Sequence, residues 1–276
     1  MNLAKAQPAP WLFPVLTAMA LVIFWMATWL QDKQVGSYQE KSAAIAISAP
    51  VQTIIFGGDR FFAANIEAIR AAASSIAEDA HGFRLRAHLE VSRLNPCHED
   101  NYWVGNAALS WGGAEEQGFQ LLKNAIHCRY WDEWPAFFYG FNQHFFRKNT
   151  NKARWAIDLA AQRSKENAAA FRNFSIMLAA GDIDDARVAL EMIEQEHAQA
   201  SDPKLRGMLS KRVIRLQGLL LLRDAQAQYE RKFQRALAAP ADLISSEIIE
   251  AFPGDPLGIG YNFDGQTFHL HQLDIQ

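Results

Sequence analysis

The sequence predicts an all-α protein: a single N-terminal transmembrane helix, then a solenoid of helical hairpins, then an irregular C-terminal tail. Three observations point there. Trp11 to Leu30 is a run of twenty residues without a charge. From residue 57 to 238 apolar residues recur three and four apart, with turn formers at short intervals and almost no proline within the segments. Inside that stretch, helices opening on a small residue return at Gly82, Gly118, Ala153 and Ala186, after 36, 35 and 33 positions.

The chain has 276 residues, half of them apolar, so a substantial core can form. Net charge is −3 and the sequence pI about 6.2. That balance lacks the basic footprint of a nucleic-acid binder, and no nucleic acid is expected as a partner.

The anchor is assigned to residues 1–31. Twenty helical residues span roughly 30 Å, the thickness of a bilayer's hydrocarbon core. Trp11, Trp25 and Trp29 fall toward the ends, where amphipathic rings favour the interface, and Pro14 stands in the first turn, where its missing N–H costs least. A cleaved signal peptide is the competing reading, but Ala27-Thr28-Trp29-Leu30-Gln31 has no small-x-small cleavage site. Lys5 and the amino terminus favour a cytoplasmic N-terminus, while Asp32 and Lys33 cancel. The expectation is a single-pass protein of a bacterial inner membrane, contacting the lipid bilayer through residues 11–30 and carrying most of its chain on the periplasmic side.

Residues 32–56 read as a connector, ending in Val51–Phe56 as a short strand or an extended lead-in. Gly57-Gly58 stops it, and Asp59 is placed to cap a helix from Arg60 to Ser74. Residues 57–238 form the repeat domain. Turn signals at Trp111-Gly112-Gly113, Lys148–Asn151 and Ala180-Gly181-Asp182 divide its units into two helices of about a dozen residues. The small residue has a physical reason: where the second helix of a hairpin crosses the first, Gly or Ala lets the backbones approach.

Leu178–Arg187 resembles the inter-helix turn of a tetratricopeptide repeat, and Asn95-Pro96 resembles the proline that closes one. The likeness covers roughly residues 60 to 200 and rests on period and small-residue placement; the aromatic, leucine and glycine of a standard first helix are only partly present. The chain thus resembles a membrane-anchored, tetratricopeptide-repeat-like (TPR-like) protein of bacterial type. The resemblance implies a stacking scaffold of four or five hairpins with a concave surface, and no catalytic residue comes with it.

Residues 182–202 are acidic and 204–235 basic, which predicts complementary faces on consecutive helices; a basic patch for anionic lipid or an acidic partner is the alternative. Leu216–Leu222 is apolar on most sides and is expected to close the core. Residues 239–276 form a docking tail, with a last short helix from Ala239 through Phe252 and then turns with a small hairpin around Asp264-Gly265.

The two cysteines stand beside histidines, Cys97-His98 and His127-Cys128. Together they offer a Cys2His2 set, but adjacent side chains on a helix diverge by about 100°, so both members of a pair rarely reach one ion. A Cys97–Cys128 disulfide, two separate buried thiols and a metal site all stay open. His269 and His271 would share one face of a strand and form a weak second metal fragment. No cofactor is predicted.

The densest aromatic run, Tyr130 to Phe146, holds too many rings for one helix face. Tyr102, Trp103, Trp111, Tyr130, Trp131, Trp134, Phe138 and Tyr139 are therefore the predicted partner surface. The sequence contains no Gly-rich phosphate loop, Cys-x-x-Cys-His, His-Glu-x-x-His or Gly-x-Ser-x-Gly. The acid pairs Glu99-Asp100 and Glu115-Glu116 fit helix first turns. The function expected is non-catalytic: a scaffold, assembly or accessory subunit binding the subunits of an inner-membrane protein complex. A metal-handling module and a peptide-binding receptor are the alternatives.

Overall fold

A computed structural model describes residues 17–26, 45–74 and 81–271. Half of the predicted membrane span, residues 11–16 and 27–30, and residues 32–44 of the connector lie outside the described residues. Residues 17–26 are helical (α1) and expose Leu21, Ile23, Phe24 and Trp25. Among the described residues no helix is long and apolar enough to cross a membrane.

The described chain is mostly helical and divides into two compact units, residues 1–121 and 122–276. In the first, α2 (Ala49–Ile55) precedes the hairpin of α3 (Arg60–Ala73) and α4 (His81–Leu94). Asp59 caps α3 as expected, accepting from the amides of Phe61 at 3.0 Å and Phe62 at 2.9 Å. Alanines at the crossing bring the helices together: Ala63 and Ala64 pack with Val91 and Leu94, and Ala71 with Phe83 and Ala87.

The expected strand or extended lead-in at Val51–Phe56 is instead helix. Pro50 occupies the first turn of α2, and the Ala49 amide donates to Glu90 Oε2, 2.7 Å away on α4. A carboxylate 41 residues on thus satisfies a helix start that has no local capping hydrogen bond.

A π-helical turn, Asn101–Gly105, runs into α5 (Asn106–Trp111), and α6 (Glu115–Cys128) follows with Glu115 and Glu116 in its first turn. A Cβ on Gly118 would lie 2.5 Å from Ser110 Oγ, so the small residue at this repeat position is needed for close approach. At Gly82 the expectation fails: among the described residues the nearest atom to an added Cβ is the Arg86 guanidinium at 3.7 Å, and no other described helix lies within 4 Å.

In the second unit α7 (Trp134–Phe145) pairs with α8 (Thr150–Arg163), and α9 (Ala168–Gly181) with α8 and α10 (Ala186–Gln199). Asn149, Asp185 and Asp202 cap α8, α10 and α11 (Pro203–Phe233) through their side chains. Gly140 and Ala153 meet at the α7–α8 crossing, where a Cβ on Gly140 would stand 2.8 Å from the Ala153 carbonyl. Ile193, Leu209, Leu219 and Leu222 form the centre of the core, joined by Leu243 and Phe268 from the tail.

The final helix, α12 (Asp242–Ser245), is four residues long, so the predicted extension to Phe252 is absent. Glu247 adopts a left-handed φ of 58°, and the amides of Ile248 and Ile249 turn back to the Leu243 carbonyl, which ends the helix. The hairpin does form. Strand β1 (Tyr261–Phe263) pairs antiparallel with β2 (Phe268–Leu270) in the register Asn262 to His269. Gly265 supplies the positive φ of 91°, and Asp264 Oδ1 accepts from the amides of Gln266 and Thr267.

Candidate functional site

The connection between α6 and α7 carries the most exposed aromatic pair of the second unit. Asp132 organises it: Oδ1 accepts from the Trp134 amide at 3.0 Å, and Oδ2 pairs with Arg129 Nε at 2.8 Å. From α8, Arg163 donates to three carbonyls of this segment, Ile126, Arg129 and Asp132, at 3.1 to 3.4 Å. Burial lowers the pKa of Arg163, with Asp132 opposing that shift, yet a guanidinium remains charged at neutral pH. On this braced loop Tyr130 is 71% and Trp131 56% exposed, their rings edge to face at 5.0 Å, with Arg129 over the indole.

The eight predicted partner residues separate into three groups. Trp103, Trp111, Tyr130 and Trp131 are exposed. Trp134 and Phe138 are half-buried in an aromatic cluster with Phe137; Phe171 stands edge-on to Trp134 and tilted on Phe137. Tyr102 and Tyr139 are 1% and 5% exposed and belong to the core, which removes them from the predicted surface. Tyr102 faces inward and Trp103 outward because neighbours in a helical turn point in divergent directions. Trp155 was not anticipated, although it is 58% exposed with its ring edge to face with Tyr139 at 6.3 Å. The signal was present: Ala153, Ala156, Ile157 and Ala160 mark the buried face of α8, and Trp155 lies off it.

Neither cysteine is free, and both Cys97 and Cys128 are disulfide-bonded. Oxidised sulfur leaves no thiolate for a metal. Among the described residues no group of three or more His, Cys, Asp or Glu side chains is placed to hold an ion. His127 is exposed, His269 pairs with Asp264 at 2.9 Å, and the His271 carbonyl accepts from Arg215.

His98 has a structural role. Its Nδ1 accepts from the Asn101 amide at 3.3 Å and so caps the π-helical turn, while Asn101 joins the buried His88 through Nδ1···Oδ1 at 2.8 Å and donates to the His88 carbonyl. Burial lowers the pKa of His88, partly offset by the Asn101 hydrogen bond; burial also lowers that of His98, offset by Asp100. Burial therefore favours the neutral form of both imidazoles, the form in which His98 Nδ1 can accept; the His88 ring donates to Asn101 Oδ1 in either state.

Part of the basic surplus of α11 serves the tail. An exposed ion pair, Arg187–Asp224 at 2.6 Å, joins α10 and α11 with charges opposite to the surplus of each. Two arginines of α11 and one glutamine hold the tail. Arg215 binds Asp255 at 3.1 Å and the carbonyls of Gly260 and His271, Arg223 binds the Phe268 carbonyl, and Gln226 that of Gln266. Irregular backbone cannot satisfy its own carbonyls, and guanidinium groups supply the missing donors.

Compared with known proteins, the chain matches no family, and no curated protein or solved structure shows significant similarity to it.

Proposed function

We propose that the chain is a non-catalytic scaffold or accessory subunit, TPR-like in its repeats, anchored in a bacterial inner membrane through residues 11–30 with its bulk on the periplasmic side. It binds other subunits of a membrane protein complex through exposed aromatic side chains. The observation that carries this is Tyr130 and Trp131 held outward on a loop braced by Asp132 and Arg163. Exposing two large rings to water is unfavourable, and fixing them beforehand reduces the entropy lost on docking. The oxidised state of both cysteines supports an oxidising compartment and, in a chain with two, a Cys97–Cys128 bond. Mild-detergent purification followed by identification of stoichiometric companions tests this; a protein that always runs alone overturns it.

A second reading, a peptide-binding receptor, draws support from a polar groove of about 410 Å³ lined by Arg154, Arg172, Gln162 and Gln199, in which Arg154 Nε is buried without a partner. An extended peptide that elutes with the purified protein and is lost on Arg172→Ala would favour it over the subunit role.

A further inference from the structure

We propose that the second unit binds a small monocarboxylate with an apolar chain of about six carbons, in the cavity between α9, α10 and α11. The cavity measures about 240 Å³. That is roughly eight water volumes at ~30 Å³ each, too small for a nucleotide or large cofactor. Its walls are apolar, formed by Met177, Ile193, Leu216, Leu219 and Leu270.

Three guanidinium groups line the same cavity, from Arg212, Arg215 and Arg223. Two have partners: Arg215 holds Asp255 and two tail carbonyls, and Arg223 Nε donates to the Phe268 carbonyl at 2.8 Å. Arg212 makes no hydrogen bond among the described residues. It is half-buried, and its charged form is disfavoured first by burial and then by the neighbouring Arg215, with Asp255 giving partial relief. Asp184 is the one carboxylate among the lining residues; it is exposed on the α9–α10 connection and forms no ion pair with these arginines.

A half-buried cation with no hydrogen-bonded counter-ion is costly, and a planar carboxylate can accept two parallel hydrogen bonds from a guanidinium. The apolar walls then take the hydrocarbon chain. A bare oxyanion would leave those walls uncovered, and a neutral alcohol would leave Arg212 uncompensated. The chemistry therefore selects a ligand with one carboxylate and a short alkyl chain.

Calorimetric titration of the whole chain in detergent with hexanoate, hexan-1-ol and inorganic phosphate tests the assignment. Hexanoate is expected to bind saturably with 1:1 stoichiometry, hexan-1-ol at least tenfold more weakly, and phosphate without saturation. Arg212→Gln should weaken hexanoate at least tenfold and leave hexan-1-ol unchanged, and Ala186→Leu, which fills the cavity without altering charge, should abolish hexanoate binding. Circular dichroism checks that both variants fold; Arg212 has no hydrogen bond to lose, so its neutralisation leaves the fold intact. Equal binding of hexanoate and hexan-1-ol, equal binding of phosphate, no saturation, or an Arg212→Gln variant with unchanged hexanoate affinity would each overturn the proposal.

Discussion

Replacing Asp255 by alanine would release the tail from α11. The carboxylate accepts from Arg215 Nε at 3.1 Å and from the amides of Leu257, Ile259 and Gly260 at 2.9, 3.1 and 2.6 Å. Side chains of the ion pair are only 7% and 4% accessible, so the variant leaves a covered guanidinium without its counter-ion and three donors without acceptors. Breaking a deeply buried pair costs about 3–5 kcal/mol. Gly254 and Pro256 beside it are exposed, so water lies close and screens the charge. The expected loss is about 2–3 kcal/mol, the lower side of that range. Urea denaturation at pH 7 reads the total, and amide exchange at Leu257, Ile259 and Gly260 reads the tail. Arg215→Met with Asp255→Ala should recover at least half, because no buried charge then remains. A loss below about 0.5 kcal/mol with these amides still protected would refute the latch. Burial by itself would raise the Asp255 pKa, but the amides of Leu257 and Gly260, the Arg215 charge and the Ile259 amide outweigh it and lower it. The latch is thus fully present above the unfolded pKa of 3.8 and is lost as pH falls below it.

Gly140→Ala should destabilise the second unit by about 1–3 kcal/mol through overpacking against Ala153 and Ile157, whereas Gly82→Ala, whose Cβ would meet only the Arg86 guanidinium at ordinary contact distance among the described residues, should stabilise α4 by about 0.5–1 kcal/mol; thermal melts of the two variants should shift in opposite directions. Thiol counting should find no reactive cysteine before reduction and two after; closing about thirty residues between Cys97 and Cys128 predicts a loss of about 3–4 kcal/mol on reduction. Burial raises the Glu67 pKa, opposed by Arg70, so its contribution is present below the unfolded value of 4.5 and lost as pH rises through the raised one; Glu67→Gln should flatten this part of the stability profile from pH 4 to 8. Asp264, held at about 2 chiefly by the Thr267 and Gln266 amides and then by His269, acts in the opposite sense; the hairpin turn should loosen as pH falls from 4 toward 2, followed by exchange at those two amides.

Features written in neighbouring residues could be read before the fold was known. Asp59, Asn149 and Asp264-Gly265 each act within three residues of their own position, and the spacing of turn signals gave the hairpins. Features made by distant partners could not be read. The start of α2 depends on Glu90, and Arg215 and Arg223 of α11 serve carbonyls forty or more residues away, a role that composition alone does not reveal. Aromatic density identified the partner surface only coarsely, because Tyr102 and Tyr139 differ from Trp103 and Trp155 in direction rather than in type. Small residues at a fixed period were informative at Gly118 and Ala153, where helices touch, and not at Gly82, where among the described residues no other helix does.

The central claim is that the braced aromatic loop recruits a membrane partner. Its most direct test is the stoichiometry of companions that purify in mild detergent with the unaltered chain and with the Tyr130→Ala/Trp131→Ala variant, whose exposed side chains contribute little to the fold. The account predicts a defined companion at fixed ratio for the unaltered chain and at least a tenfold loss of it for the variant, with thermal stability unchanged. Equal recovery of the companion by both proteins would contradict it.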